Sequence, residues 1–164
     1  MGKFLSIAAA ATLLFGQAAL AQTADPARAE TVSWSASAGS AAVKPDGALT
    51  VTLNAKVAEG WHVYALKQLP NGPTPLRITI DPNKIAAANG EPTGSPATKV
   101  HDAAFNLDTP LYSKSFTASV PLKIVAQAST GKQSIPISVR FQTCNGAICQ
   151  PPKMVHLSAP ILIQ

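Results

Sequence analysis

The chain has 164 residues, with 13 Lys and Arg against 8 Asp and Glu, a net charge of +5. The basic side chains are scattered, without the run or stripe that neutralises a phosphate backbone, so the sequence offers nothing for nucleic-acid binding. After residue 21 no apolar stretch is long enough to cross a bilayer, so the remainder is expected to be soluble, not membrane-embedded, and of a size for one domain.

In chain order, Lys3 gives a short positive start, Phe4 to Phe15 is apolar and Ala-rich, and Ala19-Leu20-Ala21 is a small-x-small cleavage site. Residues 1–21 therefore read as a cleaved secretory signal, with Gln22 as the first mature residue. A membrane anchor is the competing reading, but Gly16-Gln17 interrupts the apolar stretch, which falls short of a span. No cysteine follows the cleavage site, so a lipid anchor is not expected. Export places the chain where disulfides persist. Residues 22–30 form an Ala-rich, polar leader expected to be flexible.

Residues 31–164 are expected to form one domain of short alternating strands: 31–35, 48–57, 61–65, 75–80, 115–125, 134–143 and 153–163. Val51, Leu53, Ala55 and Val57 mark one inward face, and Phe116, Ala118, Val120 and Leu122 another. Pro and Gly punctuate the gaps, as in Lys44-Pro45-Asp46-Gly47, Leu69 to Pro73 and Gly90 to Gly94. Seven short strands with regular turn signals predict an all-β, two-sheet antiparallel sandwich. Only Asn83 to Ala88 hints at a helical turn.

The only two cysteines, Cys144 and Cys149, fall in Phe141-Gln-Thr-Cys-Asn-Gly-Ala-Ile-Cys-Gln-Pro-Pro-Lys153. Ile137, Val139 and Phe141 alternate with polar residues up to this point, and Val155, Leu157, Ala159 and Ile161 alternate after it. Asn145-Gly146 supplies a turn through residues that tolerate positive φ. Both thiols are thus expected near the tip of a β-hairpin, close enough to bond. A staple closing so short a ring contributes only about 2 kcal/mol by chain entropy. A reversible couple at an exposed tip suits thiol–disulfide exchange, where a partner thiolate must reach one sulfur in line. On the residues alone, a structural staple and a redox couple both stay open, with metal ligation as a third reading. Pro151 and Pro152 lack backbone donors and leave the strand after Cys149 as an accessible edge, whereas Cys144 ends a regular strand and should be the more enclosed.

Other chemistry is sparse. His62, His101 and His156 are too scattered for a ligand pattern. Met154 and His156 share one strand face and with Cys144 and Cys149 make an alternative copper set, soft sulfur being suited to Cu(I); the plainer reading is a packed Met154 and a solvated His156. No nucleophile elbow or phosphate-cradling Gly-rich loop is present. Trp61 and Tyr64 either pack with polar tips at the surface, the usual fate of these residues, or line the cysteine hairpin. Phe105 and Tyr112 lie in a stretch read as a loop, His101 to Tyr112.

The cysteine segment, with its Gln-x-Cys step and a second cysteine running into Pro-Pro, resembles the active-site hairpin of the N-terminal periplasmic domain of the DsbD thiol:disulfide interchange proteins. Gly60-Trp-His-Val-Tyr-Ala65 and Gly72-Pro-Thr-Pro-Leu76 resemble the same domain, and the likeness runs from about Val32 to Ile163. It implies an immunoglobulin-like sandwich, no cofactor, and a protein-disulfide reductase type of activity through Cys144 and Cys149. It further implies thioredoxin-like periplasmic partners that bond to the second cysteine, Cys149, and an aromatic cap over the disulfide, for which Phe105 is chosen narrowly over Tyr112. A full DsbD protein continues into membrane helices and a thioredoxin-like domain. This chain has no Cys-x-x-Cys and no such helices, so a separate membrane electron donor is expected. Two other functions remain: a non-catalytic secreted binding module with a structural disulfide, and a copper-handling module.

Overall fold

The computed structural model describes residues 30–39 and 42–164. The expected signal, residues 1–21, and the leader up to residue 29 lie outside the described residues.

Twelve strands and no helix make up the described chain: β1 (Val32–Ser37), β2 (Ala48–Val57), β3 (His62–Tyr64), β4 (Arg77–Ile80), β5 (Ala86–Ala88), β6 (Thr93–Gly94), β7 (Thr98–Asp102), β8 (Leu107–Tyr112), β9 (Phe116–Ile124), β10 (Gly131–Phe141), β11 (Thr143–Cys144) and β12 (Lys153–Ile163). Every pairing between them is antiparallel. One sheet runs β1-β2-β9-β5, with β6 also on β9; a second runs β12-β10-β4; a third runs β11-β3-β8-β7.

The first two sheets form the sandwich that the alternation predicts. Val51, Leu53 and Ala55 of β2 and Phe116, Ala118, Val120 and Leu122 of β9 are buried, and they share one core with Ile135, Ile137, Val139, Ala159, Ile161 and Ile163 of the facing sheet. Period-two alternation sends every second side chain into that core and its neighbours to solvent. Two turns close as their residues foretell: the Gly47 N–H donates to Lys44 C=O at 3.0 Å after Asp46 at φ 63°, and the Gly72 N–H to Leu69 C=O at 3.1 Å after Asn71 at φ 63°.

The third sheet departs from the sequence-based expectation. The stretch from His101 to Tyr112 is no loop but the greater part of a hairpin, β7–β8, with Thr98↔Leu111 and Asp102↔Leu107 in register. The first four residues of β7 are all exposed, so no apolar alternation marks it, and Pro110 interrupts the pattern of β8. The hint of a helical turn at Asn83 to Ala88 is likewise replaced. Asn83 Oδ1 accepts from the N–H groups of Ile85 and Ala86, both at 2.8 Å, and the resulting turn delivers Ala86–Ala88 as β5 onto β9. A side-chain amide that satisfies these backbone donors removes the incentive to continue as helix.

Leu53 is fully buried in this core. Leu53→Ala is expected to lower unfolding stability by about 2–5 kcal/mol, and Thr50→Ala, at an exposed position of the same strand, by no more than about 0.5 kcal/mol. Denaturant midpoints at unchanged slope check both values.

Candidate functional site

β10 and β12 form an eleven-pair hairpin from Gly131↔Ile163 to Phe141↔Lys153. Beyond Phe141 the outgoing strand leaves the sandwich. Gln142 marks the change: its C=O accepts from Tyr64 N–H at 3.4 Å and its side-chain Oε1 from Thr74 N–H at 3.0 Å. Thr143 and Cys144 then pair with Val63 and His62 of β3. The hairpin tip thereby belongs to the third sheet.

The tip closes as a short turn between the cysteines. Asn145 N–H donates to Ile148 C=O at 3.1 Å, and the Asn145 side-chain oxygen accepts from Ala147 and Ile148 N–H at 3.1 and 2.8 Å. Only Gly146, at φ 86°, uses a left-handed conformation; Asn145 contributes its side chain instead of the positive φ expected of it. Behind the tip, Gln150 N–H donates to Thr143 C=O at 2.9 Å, and the Thr143 hydroxyl meets those of Thr31 and the Gln150 amide inside the protein. This network fixes the tip independently of the sulfurs.

Cys144 and Cys149 form a disulfide across the turn, with Cα atoms 4.1 Å apart. The two sulfurs have unequal surroundings: Cys144 is 2 % exposed, whereas Cys149 is an exposed residue. Cys144 packs with Tyr64 and Leu111 in a small cluster separate from the main core, with Phe105 against it. Tyr64 Oη lies 3.0 Å from Cys144 Sγ, 3.9 Å from Cys149 Sγ and 2.6 Å from Asp102 Oδ2. A phenol carries one proton, and the carboxylate is the stronger acceptor, so Tyr64 donates to Asp102 and turns its lone pairs toward the sulfur. Burial first, then this hydrogen bond and the Asp102 charge, push the Tyr64 hydroxyl pKa above its ordinary range, so it stays protonated. Asp102 Oδ1 accepts from Ala104 N–H at 2.9 Å, which ties the β7–β8 turn to the site.

The sequence candidates separate in space. Phe105, at that turn, packs edge-on against Tyr64 with ring centroids 5.9 Å apart. Tyr112 lies elsewhere: it stacks on Phe116 at 3.9 Å and belongs to the main core. Trp61, just before β3, is half-exposed and does not line the cavity of about 380 Å³ beside the cysteines. Met154 and His156 project from the outer face of β12, and His156 Nδ1 is 2.8 Å from Ser138 Oγ on β10. Neither lines the cysteine cavity, so the alternative copper set is not assembled. Among the described residues no group of three or more His, Cys, Asp or Glu is placed to hold a metal ion.

Two participants escape the sequence reading. Asp102 has no motif around it, and His62, opposite Cys144 in β3, stood only as a scattered histidine. Its ring packs edge-on against Tyr64 at 5.1 Å, and its Nε2 is 4.0 Å from Asp102 Oδ2. Burial lowers the His62 pKa, and the Asp102 charge opposes this without overcoming it. The unfolded chain binds this proton at about pH 6.5, the folded chain only lower. Stability from this group is therefore complete above about pH 7.5, falls as the pH drops through the unfolded value, and levels off below the folded one. Melting temperatures from pH 7.5 to 5 should decline in the wild type and decline less in His62→Gln.

A family model described as "Thiol:disulfide interchange protein DsbD, N-terminal" matches residues 30–158. A comparison with curated proteins gives no match. Among solved structures, a family 123 glycoside hydrolase from Clostridium perfringens is similar at 9% identity and a TM-score of 0.40, over 82% of this chain and 28% of that one. The ASH/PapD-like domain 7 of human CEP192 is similar at 11% identity and a TM-score of 0.38, over 88% of this chain and 94% of that one. The family match spans nearly the whole described chain and includes both cysteines, Tyr64 and Asp102: the protein belongs to the family of DsbD N-terminal domains.

Proposed function

We propose that the protein is a periplasmic thiol–disulfide exchange protein that passes reducing equivalents between thioredoxin-like partners through a reversible Cys144–Cys149 disulfide. The observation that carries this reading is the asymmetry of the pair. An incoming thiolate needs in-line access to one sulfur and a leaving group that the protein can accommodate. Cys149 is exposed, and Cys144 lies enclosed 3.0 Å from the Tyr64 hydroxyl. Attack on Cys149 Sγ forms the mixed disulfide, breaks the Cys144–Cys149 bond and leaves the electron pair on Cys144. A second thiol of the partner then attacks the mixed disulfide and leaves Cys149 reduced. The partner dithiol is oxidised by two electrons and this pair is reduced by two.

A structural staple is less well supported, because backbone and Asn145 hydrogen bonds already hold the tip. Among the described residues no helix is long and apolar enough to cross a membrane. On this reading residues 1–21 direct export and are removed, and a separate membrane protein supplies the electrons. Ile148, next to Cys149 in the tip, and Val100 of β7, which lines the same cavity as Cys149, are exposed apolar side chains that suit contact with a partner.

Phe105 serves in this reading as the cap. Its ring packs edge-on against Tyr64, on the cluster that encloses Cys144, so its removal loosens the inner side of the disulfide and widens the approach of small thiols beyond the side already open at Cys149. Reduction of the disulfide by a small dithiol should accelerate about tenfold in Phe105→Ala, and remain unchanged in Tyr112→Phe, since access governs the rate of exchange. Unaltered kinetics in Phe105→Ala would remove the cap.

The exchange itself is tested by trapping. Cys144→Ala should accumulate a covalent complex with a thioredoxin-like periplasmic protein through Cys149, about tenfold more than Cys149→Ala, because the resolving thiol is missing. Equal trapping by both would overturn the assignment of roles. No trapping by either, with a wild-type reduction potential below about −300 mV, would favour the staple.

A further inference from the structure

Thiols carry protons and a disulfide does not, so each closure of the Cys144–Cys149 bond must release the proton of Cys144. Cys144 as a residue is only 2 % exposed, so its thiol has little direct access to bulk water. Its polar neighbour is Tyr64 Oη at 3.0 Å; Tyr64 donates to Asp102 Oδ2 at 2.6 Å; and Asp102 Oδ2 faces His62 Nε2 at 4.0 Å. That ring nitrogen is buried and has no hydrogen-bond partner. An unpartnered buried nitrogen costs stability and calls for an account.

We propose that His62 is the proton acceptor for the inner thiol, receiving the Cys144 proton by way of Tyr64 and Asp102 when the pair is oxidised and returning it when the pair is reduced. The inference rests on the exchange reading above and deepens it. With Cys149 in a mixed disulfide to a partner, Cys144 S–H gives its proton to Tyr64 Oη as Tyr64 gives its own to Asp102 Oδ2, and Asp102 passes it to His62 Nε2. The sulfur electron pair of Cys144 forms the bond to Cys149 Sγ. The bond from Cys149 to the partner breaks, and the partner leaves as a thiolate. The partner disulfide is reduced by two electrons and this pair is oxidised by two. A bridging water or a small rotation of the imidazole spans the 4.0 Å gap. The partly exposed ring then returns the proton to solvent.

The chemistry favours a histidine as terminus. A carboxylate alone is a far weaker base than a thiolate, whereas imidazole lies between the two. Burial keeps His62 neutral near pH 7, the state that accepts a proton. The ionisable groups around it are Tyr64 on its own strand, in ring contact with it, and Asp102 and His101 on β7 and Cys144 and Cys149 at the tip, which line the same cavity. His101 Nδ1 is engaged by Asp108 Oδ1 at 3.3 Å and is mostly exposed, so its proton exchanges with solvent directly.

The experiment follows oxidation of the fully reduced protein by dithiobis(nitrobenzoate). The first nitrothiolate released reports formation of the mixed disulfide at Cys149, and the second reports closure by Cys144. In wild type the second phase should be level from the thiol range down through about pH 6.5, the ordinary histidine value, and fall only below it, because burial lowers the pKa at which His62 becomes protonated. In His62→Gln it should instead rise about tenfold per pH unit up to the thiol range, and be at least about tenfold slower at pH 7 relative to the first phase, as expected on loss of an internal base. Asp102→Asn interrupts the same route and carries the same expectation should His62→Gln not fold. Parallel pH profiles in wild type and variant overturn the proposal while leaving exchange intact. A reduced wild-type protein that releases no nitrothiolate overturns the exchange reading, and this inference with it.

Discussion

Strand β10 is the element on which the rest depends. Its middle, from Ile135 to Val139, pairs with β12 throughout and with β4 from Ile137 onward, and Ile135, Ile137 and Val139 supply fully buried side chains to the sandwich core. Its continuation, β11, is an edge of the sheet that holds the cysteines. A strand with side-chain period two cannot slip by one residue without turning its apolar face outward. The core packing of Ile135, Ile137 and Val139 therefore sets the register of the whole hairpin, and with it the height at which Cys144 meets His62. The tip inherits its precision from the core.

Within the site, a single phenolic proton has two claimants. Asp102 takes it because a carboxylate accepts more strongly than a sulfur, and because Asp102 is already fixed by its bond to Ala104 N–H. The consequence is a sulfur pair flanked by oxygen lone pairs on its inner side and by open surface on its outer side. The two cysteines of a short symmetric turn thus acquire different chemistry from the sheet they are docked on. The same docking brings Phe105 over Tyr64, since Asp102 and Phe105 belong to one β7–β8 turn.

The sequence was legible wherever one strand face meets the core. β2, β9, β10 and β12 alternate, and the observed burial follows the alternation except at Ser138 of β10, which is buried between Ile137 and Val139. It was illegible where strands are exposed on both faces: β7 has no apolar face to read, and its sheet partner β8 contains Pro110. Asn83 likewise looked helical only because its side-chain hydrogen bonds, which set the turn before β5, leave no periodic trace. Of the aromatic residues, Tyr64 and Phe105 reach the cysteines while Tyr112 joins the main core, although Phe105 and Tyr112 fall in one short segment. Which aromatic faces the sulfurs is decided by the turn at one end of the β7–β8 hairpin and the core at the other.

By itself the sequence determined the all-β class, the main strands, the hairpin bearing Cys144 and Cys149, and, through the Gln-x-Cys and Cys-x-Pro-Pro steps, the family. These are local properties, carried by period-two alternation, turn residues and a contiguous motif. Only the tertiary structure decided that the hairpin tip leaves the sandwich for a third sheet, that Cys144 is enclosed while Cys149 is open, and that His62, Tyr64 and Asp102 converge on the inner sulfur. Tyr64 is 80 positions from Cys144 and 38 from Asp102. Contacts across such separations depend on strand order and register, which no short stretch of sequence encodes.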